Sequence, residues 1–146
     1  MHRIFGSKTD APYYTRKGAY LIPVDNTKIG VVKTPKGFFL LGGGLEAGET
    51  DEQCIQRECR EEAGFEVAVG DLICSAEAYT RHPKLGYFHP VQNYYKGTLL
   101  SQTQAPIEKD HELVWIEYSE LRNNLFVEMQ NWAVEQCWMS HQAENR

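Results

Sequence analysis

Apolar positions recur along this chain with two periods. Short apolar runs at residues 19–24 (AYLIPV), 29–32 (IGVV) and 38–41 (FFLL) read as strands. Polar turns at 25–28 and 35–37 separate them. Further strands are expected at 67–69, 72–80, 91–100 and 113–118, with 81–90 (RHPKLGYFHP) as a loop. The 3.6-residue period governs two other stretches. One runs from Asp51 to Ala63, with Thr50 as N-cap, Gln53 as its capping-box partner and Gly64 as C-cap. The other spans about 127–139, where Met129, Trp132, Ala133, Gln136 and Cys137 share one face. Ser119 is expected to cap a short turn before it. Strands interleaved with helices predict an α/β (α+β) chain, a mixed sheet sandwiched between helices.

The 51–63 helix carries a conflict. On a wheel of about 100° per residue, Cys54, Ile55, Cys59 and Ala63 form the buried stripe. Glu58 and Glu62 fall inside that stripe, whereas Arg57, Arg60 and Glu61 fall on its rim or beyond. A solvated charge run is the ordinary explanation of such a sequence. An inward carboxylate, however, needs a partner, and two of them at i, i+4 repel each other. They can share a proton, pair with arginine or bind a cation, and Arg57 is poorly placed to pair with both. A hard divalent cation relieves the conflict, because carboxylate oxygens suit Mg²⁺ or Mn²⁺. Glu61 extends the cluster along its edge.

Composition narrows the alternatives. The 146 residues suit one domain, 42% are hydrophobic, and the net charge is −5. An acidic chain argues against general nucleic-acid binding, but not against one phosphate-bearing small molecule held by local cations. The four cysteines, Cys54, Cys59, Cys74 and Cys137, form no CxxC pair and read as reduced, buried thiols. No stretch resembles a signal peptide or a membrane span, so a cytoplasmic protein is expected.

From Gly43 to Phe65 the spacing resembles the Nudix box of the Nudix (MutT-like) hydrolases: glycine, five residues, glutamate, seven residues, then R-E-U-x-E-E-x-G-U, where U is bulky and aliphatic. Here the positions are Gly43, Glu49 and Arg57-Glu58-Cys59-Arg60-Glu61-Glu62-Ala63-Gly64-Phe65. Cys59 and Phe65 depart from the aliphatic U positions, and Leu41 stands where many relatives have proline. No charged position is lost. The box covers 23 of 146 residues, and the resemblance implies a single Nudix domain over 1–146. It implies hydrolysis of a nucleoside diphosphate linked to another group X, with Mg²⁺, or Mn²⁺ in its place, as cofactor. Glu58, Glu61 and Glu62, with the Gly43 carbonyl, would then be metal ligands. Glu49 and Arg57 would be the pair that holds the glycine loop against the helix, and Glu61 a catalytic residue as well.

Outside the box the sequence is less specific. Glu112, before the strand carrying Trp115, is the candidate general base, with Glu108 as a weaker one. Arg81, Lys84 and Tyr79 are candidates for substrate binding, with Tyr87, Arg16, Lys17, Lys33 and Lys36 behind them. His82, His89 and His111 show no metal spacing. Trp132 and Trp138 are expected to pack the last helix, in the core or at a subunit contact. The resemblance leaves a homodimer open. A nucleotide-binding regulator that does not cleave its ligand is the second reading. A domain with a coincidental box would bind neither metal nor nucleotide.

Overall fold

The computed structural model describes residues 1–145. Its elements are β1 (His2–Phe5), β2 (Tyr14–Asp25), β3 (Lys28–Thr34), β4 (Gly37–Phe39), β5 (Leu41–Gly44), α1 (Asp51–Ala63), β6 (Phe65–Ala78), β7 (Thr80–His82), β8 (Gly86–Gln102), β9 (Glu112–Glu117), α2 (Tyr118–Leu121) and α3 (Glu128–Glu144). The sheet is mixed, as the pattern predicts. β2 lies parallel to β8 and antiparallel to β5, while β6 and β8 run antiparallel. The last residues of β2 turn to meet β3, which is flanked by β4 and β9.

Alternation along the strands splits the core into two. Ala19 and Leu21 of β2, with Val32 and Leu41, pack against Cys54, Ile55, Cys59 and Ala63 of α1. Ile22, Ile29, Val31 and Leu40 face the other way, onto Met129, Ala133, Val134 and Cys137 of α3. Side chains two apart share a face, so one strand feeds both cores. The half-buried Trp132 and Trp138 pack on the α3 core, as expected. All four cysteines are free and buried. Among the described residues no helix is long and apolar enough to cross a membrane.

Several boundaries differ from the sequence reading. Residues 81–90 are not a loop but most of a hairpin, with Thr80–His82 pairing against the start of β8. Pro90 cannot donate to a ladder, yet it sits buried in β8 opposite Arg16. The runs at 67–69 and 72–80 are one strand with register shifts. The expected strand 38–41 breaks at Leu40. β1 was not anticipated; His2 fixes it to β6 through Ser75 Oγ and Glu77 Oε2, both at 2.6 Å. Ser119 lies inside α2, which has no side-chain cap. In α3 the buried face includes Gln130 and Val134 rather than Gln136, and the helix extends to Glu144.

Candidate active site

The site grows from the helix start. Thr50 accepts from Gln53 N and Gln53 returns the bond to Thr50 N, so the capping box is complete. Asp51, at the first helical position, accepts from Tyr95 Oη at 2.5 Å and Asn93 Nδ2 at 2.9 Å. These bonds fix the N-terminus of α1 to β8. At the other end Gly64 adopts a left-handed conformation and donates to Arg60 O. The helix is therefore pinned at both ends, and its buried stripe lies against β5.

That contact turns the glycine strand toward the glutamates. Gly42 has φ of +141°, and a Cβ there would lie 2.2 Å from Ala19 O. A Cβ on Gly43 would lie 2.6 Å from the Glu58 carboxyl. Only glycines let this backbone and that carboxylate approach so closely. Gly43 O also accepts from Cys54 Sγ at 3.4 Å.

Arg57 is the hub of the outer side. It donates to Glu49 through Nε at 2.6 Å and Nη2 at 3.0 Å, a two-pronged pair. Its Nη2 also donates to Gly44 O at 3.1 Å, which ties the glycine strand to the helix. The arginine hydrogen bonds hold the Glu49 carboxyl down at about 2. Arg57 Nη1 reaches Glu58 Oε1 at 2.9 Å and Glu61 Oε2 at 3.4 Å. The wheel reading that Arg57 is poorly placed for the inward pair is thus corrected for Glu58, though not for Glu62. Hydrogen bonds to Glu49 and then to Glu58 raise the Arg57 pKa, and Glu58 still ends above its ordinary value. Desolvation pushes Glu58 up, and Glu61 and Glu108 add to that against the pull of Arg57.

Glu62 faces inward most fully, with 8% of its surface exposed. One oxygen accepts from Gly42 N at 3.0 Å. The other lies 3.9 Å from His111 Nδ1, beyond hydrogen-bonding reach. Burial raises its pKa to about 8, and the nearby carboxylates of Glu58, Glu108 and Glu61 add to the rise. Among the described residues this carboxyl has no cationic partner comparable to Arg57. Among the described residues no three His, Cys, Asp or Glu side chains already converge as a metal-ligating group.

Glu62 opens into a cavity of about 660 Å³. Gly42 and Gly44 form its rim, and Arg16, Lys17, Lys36 and Lys109 supply cations. Phe39 and Phe88 supply aromatic surface; Phe39 is backed by Phe126 at 5.1 Å and Phe88 by Tyr14 at 6.1 Å. The structure thus joins Gly43, Glu49, Arg57, Glu58, Glu61 and Glu62 at one place, and brings Glu108 near them. Glu112 is elsewhere: it is exposed, pairs with Lys33 across β3, and alternates onto the sheet face of Val114 and Ile116, away from α1. Arg81, Lys84 and Tyr79 do not line the cavity either. Arg81 sits over the Tyr87 ring, Tyr79 stacks on His89, and Lys84 occupies the hairpin turn. The weaker candidates Arg16, Lys17 and Lys36 are the ones that reach it. Sequence reasoning missed Phe39, Phe88 and Lys109: Phe39 read only as part of a buried strand, and Phe88 and Lys109 lie in segments without a periodic signal.

A nine-stranded mixed sheet between helices, with this glutamate helix against a glycine strand, defines the class. A model of the NUDIX domain family matches residues 15–137, and the chain belongs to that family. It is 40% identical over 68 residues to the NAD-capped RNA hydrolase NudC of Pseudomonas aeruginosa. That match covers 47% of this chain but only 24% of the relative's length. Among solved structures, a NUDIX hydrolase from Nitrosomonas europaea gives a TM-score of 0.70 at 17% identity, covering 87% of this chain and 90% of that one. A UDP-X diphosphatase gives 0.72 at 22% identity, covering 92% and 66%. These two likenesses show the fold.

Proposed function

We propose that this chain is a divalent-metal-dependent pyrophosphohydrolase acting on a nucleoside diphosphate joined to a second group. The observation that carries this reading is Glu62, a buried carboxyl with no Lys or Arg partner among the described residues, on a cavity lined by cations and aromatics. The residues fit a hard divalent ion. The donors are all oxygen, from Glu58, Glu61, Glu62 and the Gly43 carbonyl. A bound cation also removes the penalty of burying Glu62 beside Glu58. Mg²⁺ suits this set, and Mn²⁺ serves in its place. When bound, such an ion neutralises the diphosphate and makes an attacking water more acidic.

The chain's own groups do the rest. The Gly42 N–H orients Glu62, and Arg57 keeps Glu49 and the Gly44 carbonyl in place, so the glycine rim does not shift when substrate enters. Arg16, Lys17, Lys36 and Lys109 attract the phosphates, while Phe39 and Phe88 offer flat apolar surface to a base. Glu61 and Glu108, at the edge of the cluster, would take the proton from water. A related fold named as a UDP-X diphosphatase supports a substrate of this class.

The test is a hydrolysis screen over nucleotides, nucleotide sugars, dinucleotides and coenzymes, with Mg²⁺ or Mn²⁺ and with a chelator. Metal-dependent release from one preferred compound is expected. Tight nucleotide binding without turnover would favour the non-cleaving regulator instead.

A further inference from the structure

His111 stands on the cavity wall and has no role in the reading above. The loop that carries it is fastened to α1: Ile107 N and Glu108 N both donate to Glu61 O, at 2.9 and 3.1 Å. The loop therefore moves with the glutamate helix. Among the described residues His111 Nδ1 is a buried side-chain nitrogen with no hydrogen-bond partner. It faces Glu62 Oε2 at 3.9 Å. A buried polar atom left unpaired is unfavourable, and native chains seldom keep one without a reason. The separation is too long for a hydrogen bond, and no described residue supplies Nδ1 with another partner.

We propose that His111 Nδ1 joins Glu62 in holding the divalent ion, and that this nitrogen tilts the site toward Mn²⁺ over Mg²⁺. The inference rests on the metal-dependent reading of the site. Imidazole nitrogen is a poor donor for Mg²⁺, which keeps oxygen ligands and water. It binds the transition ions more readily, so one nitrogen among carboxylates separates two ions that oxygen donors alone treat similarly. The orphaned nitrogen is satisfied by the same event that neutralises Glu62.

The test is the electron spin echo spectrum of Mn²⁺ bound to the unaltered protein, with Mn²⁺ and Mg²⁺ affinities measured beside it. A ¹⁴N modulation is expected. It should vanish in His111→Ala and in His111→Gln. Mn²⁺ affinity should fall on the order of tenfold in both variants, while Mg²⁺ affinity stays nearly constant. Tight Mn²⁺ binding by the unaltered protein without nitrogen modulation overturns this inference and leaves the hydrolase reading standing. Equal loss of both ions in the variants also overturns it. Failure of the unaltered protein to bind either ion overturns both.

Discussion

Two helices on opposite faces of the sheet each send one buried polar side chain to the same bend in the backbone, and the two are not equivalent. From α3, Gln130 Oε1 accepts from Leu40 N at 2.9 Å, with 1% of its surface exposed. From α1, Glu62 Oε1 accepts from Gly42 N at 3.0 Å. The structural task is the same: each satisfies an N–H where the strand breaks between β4 and β5. A neutral amide performs it on one side. A carboxyl group performs it on the other, where burial next to Glu58 penalises its charged form. The fold needs an acceptor at Glu62, not a charge. The ionisable carboxyl is therefore the part to be explained by function.

The largest expected effect isolates that group. Glu62→Gln keeps an acceptor for Gly42 N–H and removes the ligand. Metal-dependent turnover should fall by roughly a thousandfold, the scale of several kcal/mol of lost electrostatic stabilisation. Stability without metal should hold or rise, since folding no longer has to drive the protonation of a buried carboxyl. Steady-state kinetics and urea denaturation on the same preparation read both. Turnover retained within tenfold would mean that Glu62 holds no catalytic ion.

The converse substitution sits on the other side of the bend. Gln130→Leu leaves Leu40 N–H without a partner and should cost about 1–3 kcal/mol of folding stability. Turnover per folded molecule should change far less than in Glu62→Gln. Denaturation midpoints and active-site-normalised rates separate these. If Gln130→Leu abolished turnover while leaving stability intact, the division of labour between the two side chains would be wrong.

How much of this could be read beforehand follows from where the signals lie. α1 and the box were legible because both depend on spacing within one stretch: Thr50, Gln53 and Gly64 mark the ends, and the inward Glu58 and Glu62 appear on a wheel. The two-sided sheet was legible from short apolar runs and helical periods. The cavity was not. Its walls come from β2, β4, the β7–β8 hairpin, the loop at Lys109 and α3, which meet only after folding. Arg16 and Phe88 carry no local mark of a site. The 81–90 segment was misread because histidine, proline, lysine and glycine suit a loop, while the pairing that makes it a hairpin comes from residues packed around it. Glu112 was favoured for its place before a strand, but strand alternation turns it away from α1. Glu108 reaches the cluster through backbone bonds to Glu61 that no pattern announces.

The smallest effect, and the most direct reading of the contrast, is in pH. Gln130 does not titrate, so its side of the bend contributes no slope. Glu62 has its pKa raised from the ordinary 4.5 to about 8. Between those values the metal-free native chain holds a proton that the unfolded chain has released, so stability should fall as pH rises through that window. Glu49 works in the opposite sense. Its pKa is lowered to about 2 by the arginine bonds, so the stability it contributes is present above about 4.5 and is lost as pH falls toward 2. Urea midpoints in chelator across this range should therefore show two limbs. Glu62→Gln should flatten the alkaline limb and spare the acid one; Glu49→Gln should do the reverse. Adding divalent ion at pH 8 should restore stability to the unaltered chain more than to Glu62→Gln, because the cation replaces the proton at the same carboxylate. An alkaline limb that persists in Glu62→Gln would assign the slope to another group and remove the distinction between the two sides of the bend.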